Sequence, residues 1–457
     1  MIANPAGNGS TMHDAVVIGG GPAGATAAIT LADAGKSVMV LEKETFPRFR
    51  IGESFLPKTL ELIQEMGLEE RMRACPHWVK RGIEIGFGDG RAELTRISFG
   101  DVMVKSEHQA FNMRRSIFDK MLLDAAEERG AEVRVGQGVE SVENIAADDV
   151  RLRLDDGTEV RSRYVIDASG QASVLGRALG TRKLMSEFRN IAYYEHFENV
   201  ERPSGDRVGF ASVIMCREGW FWLIPLDEKT TSVGVVIDNS IARKIDLPAN
   251  QRLQWCIENC PVIKARMANA VGPELNQVIS DFSYTCAPYA GDGYFLVGDA
   301  AAFVDPVWST GATLGMLGGR HASQLLIRVL DGNLSAARAA GRHHKWLNRH
   351  RRTFLRLIGS FYDHAFRELV IEGKGPLETH RALITMLAGG VFPSIPFKVR
   401  WRWEMLQVMT AYHRRFPIVG RRRPHSMLTT AGIGFDSPDQ GVVAGAANGM
   451  KNAWRER

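Results

Sequence analysis

Ala15-Val16-Val17-Ile18-Gly19-Gly20-Gly21-Pro22-Ala23-Gly24 is the stretch that decides the fold of this chain. Its leading apolar residues predict a short buried strand, and the alanine-rich segment that follows predicts a helix. Between them, Gly19 permits a tight turn, Gly21 lets the backbone approach a pyrophosphate, and Gly24 packs the helix against the strand. The stretch therefore predicts the first half of a dinucleotide-binding βαβ unit in an α/β fold.

A second strand, at residues 37–41, completes this unit and is followed by an acid, Glu42. The acid stands eighteen residues after Gly24, where a carboxylate accepts hydrogen bonds from ribose hydroxyls and repels a 2′-phosphate. NAD and FAD both satisfy this half of the site, so the choice between them depends on later residues.

The composition is that of an ordinary globular protein with two or three structural units: 457 residues, 45% hydrophobic and 24% charged. No apolar run reaches the roughly 18 residues of a membrane span, and the first thirteen residues lack a secretion signal, so we expect a cytoplasmic protein without a transmembrane segment. A net charge of +5 is too small to indicate nucleic acid as a partner. Scattered cysteines without a Cys-x-x-Cys pair predict neither disulfides nor a metal site.

A later stretch, Val297-Gly298-Asp299-Ala300-Ala301, predicts a strand end, an acid and a helix N-terminus that approaches a ligand. Together with Arg115-x-x-Phe118-Asp119 and Asp167-Ala-Ser-Gly170, it resembles the FAD enzymes of the para-hydroxybenzoate hydroxylase type over residues 14 to about 330. The resemblance implies FAD rather than NAD, with Asp299 on the ribityl chain. The residues expected to hold FAD are Gly19, Gly21, Pro22, Ala23, Gly24, Glu42, Lys43, Arg50, Gly52, Glu53, Ser54, Arg115, Asp167, Gly170, Gly298, Asp299, Pro306 and Gly311.

One departure from that pattern concerns the source of electrons. The hydroxylases carry an Asp-Gly that also handles NADPH, where this chain has Ser169-Gly170. Only one dinucleotide fingerprint is present, so we expect reduced FAD to come from a separate flavin reductase.

The resemblance also implies how the chain is divided. We expect a discontinuous, Rossmann-type FAD-binding domain and a β-sheet substrate domain, followed by a helical C-terminal region and a loosely ordered tail. Their expected bounds are 12–80, 105–185 and 281–330 for the FAD-binding domain, 81–104 and 186–280 for the substrate domain, 331–431 for the helical region, and 432–457 for the tail.

Three local patterns resemble the flavin-dependent halogenases in particular, in the branch that acts on phenols, pyrroles or carrier-bound substrates. They are Trp220-x-Trp222-x-Ile224-Pro225, Phe303-x-x-Pro306-x-x-Ser309-x-Gly311, and Lys80-x-Gly82 after Arg50-Ile51-Gly52-Glu53-Ser54. Each alone has an ordinary structural explanation: strand packing, turn punctuation and a solvated lysine. Their occurrence in this order is what makes the resemblance.

The resemblance implies an FADH2- and O2-dependent halogenation, through a flavin C4a-hydroperoxide and hypohalous acid. Chloride or bromide would bind at Ser309, Thr310 and Gly311, where backbone N–H groups at a helix start offer an anion site. Lys80 would guide the hypohalous acid to the substrate by hydrogen bonding or as a chloramine. The second route requires a neutral amine, which burial favours and a carboxylate such as Glu53 or Glu84 opposes.

The substrate follows from Trp308, which stands where halogenases of free tryptophan carry a glutamate. An apolar ring in place of that base disfavours free tryptophan and favours a phenol or a pyrrole, free or tethered to a carrier protein. Residues 398–424 contain eight Lys or Arg against one acid, Glu404. This stretch is either a solvated helix face or a docking surface for an acidic carrier or an anionic membrane.

Three alternatives remain open at this stage. A geranylgeranyl reductase-like enzyme would carry a Lys-Pro-Cys-Gly element where this chain has Arg50 to Ser54. An aromatic monooxygenase is disfavoured by the Trp220 and Trp222 pair and by Ser169. A flavoprotein that binds FAD without turnover has no need for Lys80 or the halide turn.

Overall fold

The computed structural model describes residues 12–90, 94–104, 106–272, 276–280, 282–373 and 375–433. Most of the tail expected at 432–457 lies outside these residues. Two large sheets and a set of C-terminal helices surround one large cavity.

The strands fall into four sheets. In chain order they are β1 (His13–Ile18), β2 (Val38–Glu42), β3 (Trp78–Lys80), β4 (Gly82–Phe87), β5 (Thr95–Ser98), β6 (Ala110–Asn112), β7 (Glu132–Val135), β8 (Val139–Ala146), β9 (Asp149–Leu154), β10 (Glu159–Asp167), β11 (Lys183–Leu184), β12 (Asn190–Glu198), β13 (Ala211–Met215), β14 (Gly219–Pro225), β15 (Thr230–Asp238), β16 (Gln277–Ser280), β17 (Tyr284–Thr285), β18 (Ala290–Gly291), β19 (Tyr294–Leu296) and β20 (Ala302–Phe303).

The described residues contain fourteen α-helices, of which those with nine or more residues lie before residue 129 or after residue 310. They are α1 (Pro22–Asp33), α2 (Pro57–Glu65), α3 (Glu69–Ala74), α4 (Arg115–Glu128), α5 (Val174–Ala178), α6 (Asn239–Ala242), α7 (Arg252–Glu258), α8 (Pro261–Arg266), α9 (Gly311–Leu330), α10 (Ala336–Tyr362), α11 (His364–Glu372), α12 (Thr379–Leu387), α13 (Phe397–Arg415) and α14 (Met427–Thr430). None of the helices that the structure describes combines the length and apolarity needed to cross a bilayer.

The first sheet is the one that the glycine turn predicts. Strands β19, β10, β1, β2 and β7 lie side by side, and each neighbouring pair is parallel. The strands β1 and β2 are almost completely buried, because one face packs against helices α1, α4 and α9 and the other packs against strands β8 and β9. The carboxyl ends of β1, β2, β10 and β19 therefore meet at one edge, where ligands bind in folds of this type. The predicted α/β fold with a Rossmann-type βαβ unit is confirmed.

The second sheet has seven strands in the order β16-β12-β15-β14-β13-β4-β5. Side chains alternate across it, as the pleat requires. Trp220 and Trp222 of β14 face a core shared with helices α10 to α13, whereas Phe221 and Leu223 face a separate core shared with α7 and α8. The two tryptophans thus point toward the C-terminal helices, which follow this sheet as the sequence predicted.

Candidate active site

A cavity of about 1410 Å³ runs between the edge of the first sheet and the inner face of the second. Its volume exceeds that of a pocket for one drug-sized molecule, so it has room for a dinucleotide and a second ligand. The sequence-predicted residues in its wall are Gly19, Gly21, Pro22, Ala23, Glu42, Lys43, Arg50, Gly52, Glu53, Ser54, Lys80, Arg115, Gly170, Trp220, Trp222, Ile224, Gly298, Asp299, Phe303, Pro306, Ser309, Thr310 and Gly311.

Three other predicted residues lie behind this wall. Asp167 is fully buried and accepts the backbone N–H groups of Ser169 and Leu175 at 2.9 and 2.8 Å, which fixes the segment that does line the cavity. Gly24 packs helix α1 against the glycine turn, and Pro225 ends strand β14 opposite Thr231.

The glycines of the turn are required for different reasons. A Cβ on Gly19 would lie 2.4 Å from the Ala168 carbonyl oxygen, and one on Gly24 would lie 1.9 Å from the Gly19 carbonyl oxygen. A Cβ on Gly21 would meet no described protein atom closer than 3.8 Å, yet Gly21 lines the cavity. The space beside Gly21 is thus a cradle at the start of helix α1, where the helix N-terminus favours a phosphate.

The carboxylate of Glu42 is held over this cradle. Its Oε2 accepts the Gly20 N–H at 2.9 Å, and its Oε1 accepts the Glu44 N–H at 3.0 Å. The guanidinium of Arg48 lies 3.6 Å from Glu42 and 3.0 Å from Asp119. Sequence reasoning missed Arg48, which is buried in the cavity wall and could have been suspected only as a cation near the predicted ribose acid.

Arg115 connects two further parts of the wall. It forms a bidentate pair with Asp119 at 2.7 and 3.0 Å and donates to the Ile51 carbonyl at 2.8 Å, which positions the segment that includes Gly52. Across the cavity wall, loss of hydration raises the pKa of Asp299 to about 6, an effect that the Arg115 charge opposes.

These residues fit an FAD molecule on evidence from their own surroundings. Arg48 Nε and Ser54 Oγ are buried in the cavity wall without a hydrogen-bond partner among the described residues. Buried polar atoms are costly when unpaired, so a polar ligand in the cavity would satisfy them. Together with the cradle at Gly21 and the acid at Glu42, they match the phosphate and ribose groups of a dinucleotide.

Lys80 lies at the end of strand β3 and lines the cavity. Its side chain is only 1% exposed, its Nζ donates to the Phe55 carbonyl at 3.1 Å, and it lies 5.4 Å from the centre of the Phe99 ring. Burial lowers the pKa of Lys80 to about 7.

The two carboxylates that the sequence placed near Lys80 have other partners. Glu53 lies 3.0 Å from His196 Nε2, and Glu84 pairs with Arg207 at 3.1 Å. Arg81, the neighbouring cation, is exposed. Loss of hydration, rather than a charged neighbour, therefore sets the protonation of this lysine.

The turn from Pro306 to Gly311 leads directly into helix α9. The Ser309 N–H donates to the Pro306 carbonyl at 3.0 Å, and Ser309 has a left-handed backbone with φ of 53°. The first N–H groups of a helix have no acceptor within it, and their dipoles favour an anion. Thr310 and Gly311 thus present the start of a twenty-residue helix to the cavity.

Trp308, in the middle of this turn, is a fixed apolar wall. It is 4% exposed, its indole Nε1 donates to the Leu357 carbonyl at 3.1 Å, and its ring meets the Phe361 ring edge-on at 5.2 Å. Phe354 and Ile358 of helix α10 line the same end of the cavity. Sequence reasoning did not find these α10 residues, because nothing in the helix pattern shows which face meets the turn.

A buried hydroxyl joins the two motif segments. Tyr362, at the end of α10, donates to Asp305 Oδ2 at 2.7 Å and lies 3.2 Å from the indole nitrogen of Trp220. Asp305 also accepts from Asn190 at 3.1 Å and from the Val307 N–H at 3.0 Å, so its carboxylate orders the start of the turn. Burial raises the pKa of Asp305 to about 6, and its hydrogen bonds oppose that shift.

The indole pair itself is tightly packed. Trp220 and Trp222 lie 5.8 Å apart, and Trp222 donates to Ser232 Oγ at 3.3 Å. A Cβ on Gly234, directly opposite, would lie 2.2 Å from the Trp222 ring, so that position admits only glycine. The rings therefore form a rigid apolar surface along the cavity.

Comparison with known proteins agrees with this geometry. Residues 12–352 match the FAD binding domain family. The chain is 32% identical to a 1H-pyrrole-2-carbonyl-[peptidyl-carrier protein] brominase of Pseudoalteromonas luteoviolacea over 331 residues, which cover 70% of this chain and 79% of the brominase. It is 30% identical to the corresponding chlorinase of Pseudomonas fluorescens over 346 residues, which cover 70% and 77% of the two chains.

A solved structure gives the same result in three dimensions. The flavin-dependent brominase Bmp2 superposes with a TM-score of 0.76 and 28% identity, covering 89% of this chain and 100% of the brominase. The fold and the site define an FAD-dependent oxidoreductase. Within that class, the chain belongs to the flavin-dependent halogenases.

Proposed function

We propose that this halogenase chlorinates or brominates a phenolic or pyrrolic ring that a carrier protein presents to it. The observation that carries the proposal is the position of Lys80: a buried amine in the same cavity as the Ser309 to Gly311 turn and the apolar wall of Trp308. An anion site, a nitrogen nucleophile and a ring-shaped apolar wall are what guided halogenation of a ring requires.

FAD occupies the end of the cavity at the glycine turn. Bound in its reduced form, it would pass two electrons to oxygen, and oxygen at the resulting peroxide level would take two more electrons from a halide to give hypohalous acid. Gly21 and the start of α1 hold its pyrophosphate, Glu42 its ribose and Asp299 its ribityl chain. Ser169 replaces the acid that handles NADPH in the hydroxylases, and we infer that a separate flavin reductase delivers the reduced cofactor.

The halide binds at the start of helix α9. The N–H groups of Thr310 and Gly311 attract an anion through partial charges, without a cation that would hold it too strongly for turnover. The rigid turn, fixed by Ser309 and by Asp305, keeps these donors in place. Chloride and bromide both fit this chemistry.

Lys80 controls the oxidised halogen. Hypohalous acid is unselective, so it must be held until it meets the ring. As an ammonium, Lys80 donates a hydrogen bond to the acid; as a free amine, it exchanges an N–H proton for the halogen and releases water. Since burial brings the pKa to about 7, both forms are populated at neutral pH.

The substrate ring lies between Lys80 and Trp308. Apolar groups from Trp308, Phe354 and Ile358 favour a flat, uncharged ring, and they provide no base to deprotonate it. A phenol or pyrrole suits such a wall because its own heteroatom activates the ring. The brominase and chlorinase relatives are named for a pyrrole carried on a peptidyl carrier protein, which supports a tethered substrate here.

The test is halogenation by the purified chain with FAD, a flavin reductase, NADH, oxygen and either chloride or bromide. We expect halide-dependent mass shifts for pyrrole-2-carboxyl or hydroxyphenyl groups on a phosphopantetheinylated carrier, and none for free tryptophan. Lys80→Met should lower product formation by about 10²-fold or more while FAD content and peroxide release are unchanged. Lys345→Met, which removes an exposed lysine on α10, serves as the control.

Two outcomes would contradict the proposal. Oxygenated products without halogen would indicate a monooxygenase, and full halogenation by the Lys80→Met variant would remove the assigned role of that lysine.

A further inference from the structure

The outer face of helix α13 carries an exposed row of large apolar side chains. Phe397, Val408 and Tyr412 are 72%, 69% and 56% exposed. Their separations of eleven and four residues correspond to about three turns and one turn, so the three side chains lie on one side of the helix. Phe416, one turn further, is 55% exposed. Val408, Tyr412 and Phe416 follow one another at one-turn intervals, and the rings of Tyr412 and Phe416 lie 5.1 Å apart. Clustered exposed apolar side chains of this kind mark interaction sites.

Cations surround this row. Lys398, Arg400 and Arg415 are exposed, and among the described residues no carboxylate lies within salt-bridge distance of them. The Arg400 guanidinium lies 6.0 Å from the centre of the Phe397 ring, and the Arg415 guanidinium lies 6.0 Å from that of Phe416. Arginine next to exposed aromatic rings is the composition of protein-binding hot spots.

Other cations of the same segment have structural partners instead. Arg402 pairs with Glu378 at 3.4 Å, Arg421 with Glu368 at 3.1 Å, and Arg414 with Asp363. Among the eight cations of the basic stretch, these three form a structural set. Lys398, Arg400 and Arg415, which have no carboxylate within 4.0 Å among the described residues, form a free set. We call the free set, with the apolar row, the α13 face: Phe397, Lys398, Arg400, Val408, Tyr412, Arg415 and Phe416.

The α13 face lies outside the helices that close the substrate end of the cavity. Helix α13 packs against α11 and α12, and its Glu404 pairs with Arg356 of α10 at 2.6 Å. On their inner sides, α10 contributes Phe354 and Ile358 to the cavity wall, and α12 contributes Leu387. One layer of helices, about 8–10 Å between axes, separates the α13 face from the substrate end.

We propose that the α13 face docks the acidic carrier protein that presents the aromatic substrate. This inference rests on the function proposed above and names the partner surface for it. Three unpaired cations complement an acidic partner and speed its encounter, and the exposed rings provide the contact area. A second copy of this chain is a poor occupant, because a twofold interface would bring these cations against their own counterparts.

The experiment compares tethered and free substrates in two double variants. R400E/R415E reverses two of the three free cations of the α13 face. R328E/R338E reverses two exposed arginines near the α9–α10 junction. Arg338, the one on α10, lies about 27 Å along that helix from Arg356, which contacts Glu404 of α13. We expect R400E/R415E to raise KM for the carrier-bound pyrrole about tenfold, with kcat/KM for the free aromatic unchanged, while R328E/R338E changes neither.

A binding measurement separates failure of this inference from failure of the proposed function. Titration of the pyrrolyl-carrier into the FAD-bound protein without a reductase requires no turnover, and R400E/R415E should weaken that binding by a similar factor. If the wild type binds the carrier but halogenates nothing, the proposed function fails while the docking inference holds. Equal loss on free and tethered substrates, or an unchanged KM for the carrier, would overturn the docking inference.

Two further arms identify a different occupant. Sedimentation with vesicles containing anionic lipid would overturn the inference if the α13 face were required for vesicle binding and not for carrier turnover. Sedimentation velocity would do the same if R400E/R415E or Val408→Ser changed the oligomeric state of the chain.

Discussion

The two ends of the large cavity are formed by different kinds of chain segment. At the FAD end, the glycine turn, Glu42 and Asp299 lie at or just after the ends of strands β1, β2 and β19, and the side chains of Arg48 and Arg115 complete the wall. At the substrate end, it comes from large side chains of β3, β14, α10 and α12, which are up to some 300 residues apart in the chain. The FAD end therefore depends mainly on local conformation at the strand ends, and the substrate end depends on tertiary packing.

The largest expected effect tests the FAD end. Gly21→Val places a branched side chain in the cradle, and the position tolerates it because the φ of Gly21 is −74° and the nearest protein atom to a new Cβ is 3.8 Å away. We expect a folded protein whose affinity for FAD is at least about 100-fold lower. Flavin absorbance after gel filtration measures the bound FAD, and circular dichroism checks the fold. Gly24→Val, whose Cβ would overlap the Gly19 carbonyl, should instead fail to fold. Retention of FAD by Gly21→Val would show that the cradle is not the pyrophosphate site.

The pH dependence of halogenation tests the substrate end through Lys80. If the free amine carries the halogen, activity should rise about tenfold between pH 6 and pH 8, because a pKa of about 7 leaves mostly ammonium at the lower value and mostly amine at the higher one. Initial rates with a free aromatic, at saturating reduced FAD, measure this. Lys80→Arg, which stays cationic, should be weakly active and show no such rise. A rate that falls with pH would assign the role to the ammonium as a hydrogen-bond donor.

The same contrast explains what the sequence could predict. The glycine turn, Glu42 and the turn before α9 are short patterns in which chemistry and conformation coincide, so they revealed the fold and the halogenase family. Lys80 was identified by resemblance, but its protonation was not, because burial is a property of the surroundings. Arg48 and Asp305 lay beside recognised motifs and were overlooked.

Tyr362 illustrates the limit most clearly. It stands 57 residues after Asp305 and 142 after Trp220, in a helix whose pattern shows no special feature, yet its hydroxyl contacts both. Only the packing of α10 across the second sheet brings these three groups together. Sequence motifs do not reveal residues of this kind, because no local conformation requires them.

Tyr362→Phe tests whether this hydroxyl matters to the turn. Removing it leaves the buried Asp305 carboxylate with one donor fewer, which should lower the free energy of unfolding by about 1–2 kcal/mol and raise KM for halide several-fold. Urea unfolding and halide titrations measure the two effects. Tyr362→Leu serves as a comparison, because it removes the ring as well as the hydroxyl and so shows the effect of a void. An unchanged KM for halide in Tyr362→Phe would show that Tyr362 acts through packing alone.

The pH dependence of stability gives an independent measure of Asp305. Its folded pKa of about 6 lies above the ordinary 3.8, so between these values the folded state binds more protons than the unfolded state. Stability should therefore fall as pH rises from about 4 to 6. Asp305→Asn should remove this contribution, and Tyr362→Phe should extend the decline above pH 6. The assignment would be contradicted if the free energy of unfolding changed with pH in the same way for the wild type and both variants through this range.

The smallest effect is expected at Trp308, where the substrate end meets the halide turn. Trp308→Phe keeps an aromatic wall but loses the hydrogen bond to the Leu357 carbonyl, which leaves that acceptor unpaired and the ring free to turn. We expect kcat to fall only about three- to tenfold, with the site of halogenation on the ring less strictly selected, as mass spectrometry and NMR of the products would show. Trp308→Ala provides the contrast, because it removes the wall itself and should reduce selectivity further. If Trp308→Phe matched the wild type in both rate and product pattern, the indole would act by bulk alone, and the selectivity of the substrate end would lie with the side chains of α10.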